Sequence, residues 1–316
     1  MPIEFAPDAH TAMALRFAAE AADQARTDVT TAHLLTGLIV AAQAVTRLLD
    51  VVDITPTVAA HVLRKTGDGP DGTAHPEDEP VLTEPIPLTD GAKSALAQAA
   101  RLADGGECRP ETLLCTVLAD DGARAATMLR TCGADPQTIL RAAGSGVLPD
   151  RNDPIHPDLR DVRDRMIGRE RFKGSGLKAF LFQKLFKAPY PYAAAPSLWV
   201  SLESEQIARQ RGTARRTDDL LIAMLATYEV ARSFPHLTTE NLAEYDGSRH
   251  LAEAGLDHRS LRTAATDLDL GDDEISIRTL ISKDSWPKTT TELLTRLSRH
   301  ENTRASRLLK ALNVNA

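Results

Sequence analysis

The chain has 316 residues, and at roughly 100–200 residues per domain this length favours two domains. Apolar residues make up 42% and charged residues 26%, which excludes wholesale disorder and a membrane-embedded protein. The formal charge of −7 gives no overall attraction to nucleic acid or to an anionic membrane, and we expect neither as a partner. Aromatic residues are only 4% and alanine is abundant, so we expect an all-α protein.

The N-terminus and the cysteines indicate the compartment. The first residues, Met-Pro-Ile-Glu-Phe, lack the basic and apolar segments of a secretory signal, and no apolar run approaches the ~18 residues of a membrane helix. We therefore expect a cytoplasmic protein. Cys108, Cys115 and Cys132 are an odd set without C-x-x-C spacing, which argues against disulfides or a zinc site. We interpret Cys115 and Cys132 as small buried apolar residues.

Four segments of the chain share one pattern, in which a polar helix start is followed by paired leucines. The pairs are Leu34-Leu35, Leu113-Leu114, Leu220-Leu221 and Leu293-Leu294. Alanine-rich amphipathic helices are predicted before the first two pairs, over residues 12–25 and 92–103, and a second helix and a turn follow each pair. Self-similarity of this kind is typical of repeat architectures.

The spacing of the repeats indicates where the chain divides. Successive leucine pairs lie 79, 107 and 73 positions apart, so the middle interval is longer by about thirty residues. We predict two pseudo-twofold double-repeat helical domains, residues 1–148 and 197–316, joined by an insert over residues 149–196. Within the first domain, residues 67–87 are rich in Gly, Pro and acidic residues and predict a flexible loop between its two repeats.

The insert differs in composition from the rest of the chain. Residues 165–187 carry seven basic residues, one acidic residue and four of the seven phenylalanines, and apolar spacing predicts a basic amphipathic helix over 178–187. We favour packing of this segment between the domains, because its phenylalanines would otherwise be exposed. The alternative is docking on a membrane, on nucleic acid or on a partner protein. Its candidate contact residues are Arg169, Arg171, Lys173, Phe180, Lys184 and Phe186.

The repeats resemble the N-terminal repeat domain of the Clp ATPases, most closely the ClpC type. The resemblance is carried by the T-x-H-L-L-x-G-L string that starts at Thr31, by the alanine-rich first helix and by the Gly-Ala-Asp-Pro turn at Gly133. It covers residues 1 to about 145 well and residues 197–316 more loosely. It implies a helical docking domain for substrates, adaptors, phosphorylated arginine and certain cyclic-peptide antibiotics.

Arginine-phosphate recognition in this family uses an acidic residue at the x of each T-x-H motif, where a carboxylate accepts hydrogen bonds from the guanidinium. The four positions here are Ala32, Glu111, Asp218 and Thr291, so each predicted domain keeps one acid of two. The resemblance thus leaves a single-acid site at Glu111 or Asp218. The alternative, which we favour, is that these two acids serve only the N-termini of their own helices.

The family's peptide groove lies between its two repeats, and the matching positions here are Phe5, Leu88 and Lys93. Leu88 stands where the family usually has phenylalanine, which reduces the aromatic area offered to an apolar ligand. Trp199 and Trp286 are the candidate aromatic substitutes in the second domain, although a single tryptophan in a helical protein belongs more often to the core.

Motifs for catalysis and cofactors are missing from the sequence. The phosphate-binding G-x-x-x-x-G-K-[ST] loop of the Clp ATPase modules does not occur, nor does H-E-x-x-H or G-x-S-x-G. We expect no cofactor, no metal and no enzymatic activity. His250, His258 and Asp257 come closest to a metal-binding set, and we expect no metal there either. His33 occupies the position of the family's structural histidine, so the resemblance implies that it makes a local hydrogen bond.

These observations lead to one functional hypothesis and an alternative. We hypothesise a non-enzymatic binding protein that takes up Clp substrates or Clp-directed cyclic peptides and sequesters them from the unfoldase, a role in antibiotic resistance or protein quality control. The alternative is an adaptor or regulatory subunit that docks on the ClpC/ClpP machinery and modulates proteolysis.

Overall fold

The computed structural model describes residues 3–65, 69–73, 80–150, 153–172, 192–238, 242–281 and 286–314. The chain forms two compact units, residues 1–152 and residues 153–316. Helices dominate both, so the predicted helical class is confirmed. Among the described residues, strand structure is confined to one parallel pair, β1 (Ile3–Glu4) and β2 (Pro80–Val81), with Ile3 opposite Pro80.

The first unit consists of eight helices among its described residues. They are α1 (Ala9–Ala25), α2 (Thr31–Ala41), α3 (Gln43–Asp50), α4 (Pro56–Leu63), α5 (Asp90–Ala103), α6 (Pro110–Val117), α7 (Arg124–Thr131) and α8 (Pro136–Ser145). The helices predicted over 12–25 and 92–103 correspond to α1 and α5, and the T-x-H-L-L string begins α2.

Side-chain capping sets several of these helix starts. The hydroxyls of Thr30, Thr55 and Thr89 each accept the N–H of the third residue of the following helix, at 3.3, 3.3 and 3.4 Å. Asp135 does the same for α8, accepting from the N–H groups of Gln137 and Thr138. These bonds satisfy donors that a helix start otherwise leaves unpaired, which is why short polar residues stand there.

The apolar face of α2 forms the centre of the first unit. Leu34, Leu35, Leu38 and Ile39 are at most 1% exposed, and α2 packs against α1, α4 and α7. Gly37 permits the close approach of α1, because a Cβ at this position would lie 2.1 Å from the carbonyl oxygen of Ala14. The glycine of the T-x-H-L-L-x-G-L string is therefore a packing residue.

The second unit is built around one long buried helix. Its described residues form the helices α9 (Arg160–Met166), α10 (Pro196–Arg211), α11 (Thr217–Ser233), α12 (Asp246–Glu253), α13 (His258–Asp267), α14 (Ile277–Leu280), α15 (Thr290–Arg299) and α16 (Arg304–Ala311). Helix α11 packs against α10, α12, α13 and α16. It is continuous over 17 residues, whereas the chain breaks between α2 and α3 at Ala42.

Part of the predicted insert belongs to the second unit. Residues 153–172, which the sequence assigned to the segment 149–196 between domains, lie in this unit, and α9 packs against α11. Arg165 forms a buried ion pair with Glu203, with Nη2 2.7 Å from Oε2. Trp199 donates its indole N–H to the same carboxylate at 3.2 Å. The predicted helix over 178–187 lies outside the described residues.

In the part of the chain that the structure describes, no single helix has the length and apolar character needed to cross a membrane. Only α2 and α3 taken together reach that length and composition, and they meet at a bend of 101°.

Candidate functional site

A hydrogen-bond network in the first unit joins a loop to the N-termini of α2 and α7. The Asp71 carboxylate accepts from the N–H of Thr31 at 2.9 Å, from the N–H of Arg124 at 3.2 Å, and from the hydroxyls of Thr31 and Thr89. The Thr31 hydroxyl oxygen in turn accepts the N–H of Ala125 at 3.1 Å. One carboxylate thus satisfies first-turn donors of two helices.

The second unit contains a network of the same design. The Asp273 carboxylate accepts from the N–H of Thr217 at 2.9 Å, from its hydroxyl at 2.5 Å, and from the N–H of Arg304 at 2.8 Å. The Thr217 hydroxyl oxygen accepts the N–H of Ala305 at 2.9 Å. Asp273 therefore joins α11 to α16 as Asp71 joins α2 to α7.

The arginines of the two networks also bind their loops alike. Arg124 donates from Nε to the carbonyl of Gly69 at 2.8 Å, and Arg304 donates from Nη1 to the carbonyl of Gly271 at 2.6 Å. In both loops the glycine stands two residues before the aspartate, so a Gly-x-Asp pattern recurs in the sequence. Asp71 lies in the segment predicted as a flexible loop, yet it is buried and bonded to three other segments.

Asp218, one of the two candidate acids, is buried and binds an arginine of its own unit. Arg304 donates from Nε to Oδ1 and from Nη2 to Oδ2, both at 3.1 Å, and Asp218 is 2% exposed. This paired geometry is the one that a carboxylate offers to any guanidinium. A ligand's guanidinium would have to displace Arg304 to reach Asp218.

Glu111, the other candidate acid, lies on the surface. It stands in the first turn of α6 and is exposed, so its carboxylate is accessible to solvent. The pKa of the Cys115 thiol, one helical turn away, is raised mainly by burial of that thiol and further by the negative charge of Glu111. The two acids therefore differ in accessibility, because Asp218 is covered and engaged while Glu111 faces solvent.

Of the three predicted groove residues, Phe5 directly follows β1, and Leu88 and Lys93 lie at the start of α5. Phe5 is 2% exposed, and its N–H donates to the carbonyl of Val81 at 3.1 Å. Leu88 is half-buried just before α5, and the Lys93 ammonium lies 3.7 Å from the Asp90 carboxylate. Both strands pack against α5, while Leu88 pairs with Val29 and the backbone after Phe5 pairs with Cys108. Phe5 is a core residue there, whereas Val81 is 48% exposed.

A shallow depression lies elsewhere in the first unit, at the junction of α2 and α3. Its volume is about 460 Å³. Val40, which is 41% exposed, contributes apolar surface to its lining. The depression is lined by Val40, Ala41, Gln43, Thr46, Arg47 and Asp50. None of the three predicted groove residues lines it.

The two tryptophans have different environments within the second unit. Trp199 is fully buried and bonded to Glu203, so it belongs to the core. Trp286 is 37% exposed, with its indole N–H donating to the Ser197 hydroxyl at 3.2 Å. Of the two candidate aromatic substitutes, Trp286 is the one with accessible ring surface.

The described part of the basic insert is engaged in contacts within the second unit. Arg169 donates to the Asp164 carboxylate at 2.6 Å, while Arg171 is exposed. Phe172 packs edge-on against Tyr192, with ring centroids 5.0 Å apart, and the Arg165 guanidinium lies over the Phe172 ring. The other candidate contact residues lie outside the described residues: Lys173, Phe180, Lys184 and Phe186.

His33 makes the local hydrogen bond that the sequence predicted. Its Nδ1 lies 2.8 Å from the Thr30 hydroxyl and accepts the Thr30 N–H at 3.2 Å. Burial and the nearby Arg124 lower the pKa of this imidazole, while Asp71 opposes them. His33 is therefore a capping residue that folds in its neutral form.

The cysteines are free thiols with little reactivity. Cys108 is fully buried, whereas Cys115 and Cys132 are partly buried, so the interpretation of the latter two as buried residues holds only in part. Burial raises the pKa of Cys132 to about 12, and burial together with Asp8 raises the pKa of Cys108 to about 11. Neither thiol carries a significant thiolate fraction near neutral pH.

No protein-family model matches this chain, and a comparison with curated proteins finds no matching relative. The resemblance to Clp N-terminal domains therefore depends on the sequence motifs alone.

Proposed function

We propose that this chain is a non-enzymatic binding protein made of two units that each resemble a Clp N-terminal domain. The observation that carries the proposal is the recurrence of one network, Thr31–Asp71–Arg124 in the first unit and Thr217–Asp273–Arg304 in the second. The two networks share their residue types, the aspartate and threonine atoms that take part and a Gly-x-Asp loop, although the two arginines reach the glycine carbonyl from different nitrogens. The match supports an internal duplication, which is what the resemblance implies.

The proposed ligand is a peptide segment of a Clp substrate or a Clp-directed cyclic peptide, bound by the first unit. Val81 and the half-buried Leu88 supply apolar surface and Lys93 supplies a positive charge, while Phe5 is buried and bonded to Val81. A partly apolar surface beside a few polar groups is the usual composition of a peptide site. Cargo held there would be withheld from the unfoldase, because these 316 residues contain no P-loop.

For arginine-phosphate ligands, the accessible acid is Glu111. Its carboxylate is exposed at the start of α6, whereas Asp218 is occupied by Arg304. The positive end of the helix dipole at the same place favours the phosphate group. We assign this recognition, as a single-acid site, to the first unit.

The experiment is a calorimetric titration of the full chain with a ClpC-directed cyclic peptide. We expect saturable binding at micromolar concentrations, weakened at least about tenfold by Leu88→Asp, since a charge would be desolvated in the apolar surface. The matched control is Leu102→Asp, because Leu102 lies on α5 and is 62% exposed. No saturable binding, or equal weakening by both variants, would contradict the proposal.

A phosphoarginine peptide tests the acidic site separately. Glu111→Gln is expected to weaken its binding several-fold, while Glu107→Gln, an exposed acid before α6, serves as the control.

The regulatory alternative is distinguished by co-purification with ClpC that is lost when residues 173–187 are deleted. This deletion spares Arg165 and Phe172, which belong to the packed second unit.

A further inference from the structure

Three potential metal ligands meet on the second unit, outside the surfaces discussed above. They are His156, Asp158 and His258, and one ligand atom from each lies within 4.8 Å of the other two. His156 precedes a 3₁₀ turn (Pro157–Leu159), which carries Asp158, and His258 is the first residue of α13. The two histidines are 102 positions apart in the sequence, so no ligand spacing along the chain revealed them.

His258 has the environment of a metal-binding histidine. It is 2% exposed, and its Nδ1 lies 2.8 Å from Oε2 of Glu229, whose Oε1 accepts the His258 backbone N–H at 2.8 Å. A carboxylate at Nδ1 fixes the proton there and leaves a lone pair on Nε2. The Nε2 atom is buried and has no hydrogen-bond partner. A buried polar atom without a partner is costly, and a metal ion would supply one.

The other two ligands are exposed and can adjust. The His156 side chain is 41% exposed and the Asp158 side chain 51%, with His156 Nδ1 3.5 Å from Asp158 Oδ2. The ring centroids of His156 and His258 are 6.2 Å apart. Ligands about 2.0–2.2 Å from a tetrahedral zinc ion lie roughly 3.3–3.5 Å from one another, so closure requires a shift of at most about 1.5 Å. Rotation of the two exposed side chains supplies this shift.

The charges around the cluster suit a divalent cation. Asp158, Glu229 and Asp257 contribute three carboxylates, and Arg259 contributes one guanidinium, 3.2 Å from Nε2 of His156. These side chains together carry two negative charges, which match the two positive charges of a divalent cation. The Arg259 side chain is 55% exposed and also lies 3.9 Å from Asp257, so it can turn towards that carboxylate when the cation binds.

We propose that His156, Asp158 and His258 bind a divalent transition-metal ion, with zinc as the best match to two imidazoles and one carboxylate. Glu229 orients His258 as an outer partner, and water completes the coordination. The ion would fasten the segment that begins the second unit to the start of α13. This proposal is independent of peptide binding, because its residues all lie in the second unit.

The test uses the full chain without a histidine tag, stripped with a chelator and titrated with zinc chloride by calorimetry at pH 7.5. We expect one equivalent to bind with a dissociation constant of 10 μM or tighter, since three protein ligands are present, and the melting temperature to rise with zinc concentration. Cobalt(II) in place of zinc should give the visible absorption of a four-coordinate site. Saturation absent up to 100 μM zinc would overturn the proposal.

Variants locate the binding. His156→Ala removes an exposed ligand at little packing cost and should weaken zinc binding at least about thirtyfold, whereas His10→Ala, an exposed histidine on α1, should change nothing. Glu229→Gln keeps a hydrogen-bond acceptor but loses the charge and should weaken binding about 10–100-fold. Equal affinity in wild type and His156→Ala would show that zinc binds elsewhere and would refute the assignment.

Discussion

The Asp218 carboxylate and the Arg304 guanidinium form a two-point ion pair inside the second unit, and the first unit has no acid at the matching position. Thr31-Ala32 aligns with Thr217-Asp218, and Arg124 aligns with Arg304 through the shared networks. Arg124 donates to the carbonyl of Gly69 as Arg304 does to that of Gly271, but the residue that matches Asp218 is Ala32. The two units thus share a backbone arrangement, and the second adds a carboxylate beside its arginine.

Asp218→Ala should destabilise the second unit by about 3–5 kcal/mol, because it leaves the Arg304 guanidinium buried without its carboxylate. The double variant Asp218→Ala/Arg304→Met should cost less than the sum of the single changes. Urea unfolding followed by tryptophan fluorescence measures this, since both tryptophans of the chain lie in the second unit. Additive effects would show that the pair does not interact.

The aspartates of the two networks, Asp71 and Asp273, should each stabilise only the unit in which they lie. Asp71→Ala leaves the N–H groups of Thr31 and Arg124 unpaired, and we expect a loss of about 2–4 kcal/mol from the first unit. Asp273→Ala should destabilise the second unit by a similar amount. Of these two variants, only Asp273→Ala should shift the unfolding transition that tryptophan fluorescence reports. Asp272→Ala, an exposed neighbour, is the control and should have little effect.

Gly37 should not tolerate alanine, although alanine is the better helix former. Its Cβ would lie 2.1 Å from the carbonyl oxygen of Ala14, so Gly37→Ala should force α1 and α2 apart and cost at least about 1–3 kcal/mol. Gly144 on α8 has nothing within 4 Å of the added atom. Gly144→Ala should therefore stabilise by about 0.5–1 kcal/mol in the same thermal unfolding measurement. Equal effects would contradict the packing argument.

The stability of the first unit should fall as the pH drops below about 6.5. The pKa of His33 is lowered in the folded state by burial and by Arg124, so between its folded and unfolded pKa values the unfolded chain binds more protons. The stabilisation that neutral His33 contributes is complete above the pKa of this residue in the unfolded chain, and it is lost progressively as the pH falls below that value. Urea unfolding by circular dichroism from pH 7.5 to 5.0 measures this slope, which His33→Gln should reduce.

Local signals in the sequence determined the helical class and many helix starts. Helices α2 and α15 begin at Thr31 and Thr290, each three residues before one of the leucine pairs that mark the predicted helix starts. The local bond of His33, which the family resemblance implied, joins it to Thr30, only three residues away. Such features can be recognised in the sequence because the residues that interact lie within one helical turn of each other.

Only the tertiary structure decided which distant residues meet. Thr31 and Asp71 are 40 positions apart, and Asp218 and Arg304 are 86 apart, so neither contact has a sequence pattern of its own. The sequence therefore assigns Asp71 to a flexible loop and favours a role for Asp218 at the N-terminus of its own helix. The same holds for His156, Asp158 and His258. A side chain's burial and charge partners depend on what the rest of the chain brings to it, and this lies beyond the range of periodicity and capping.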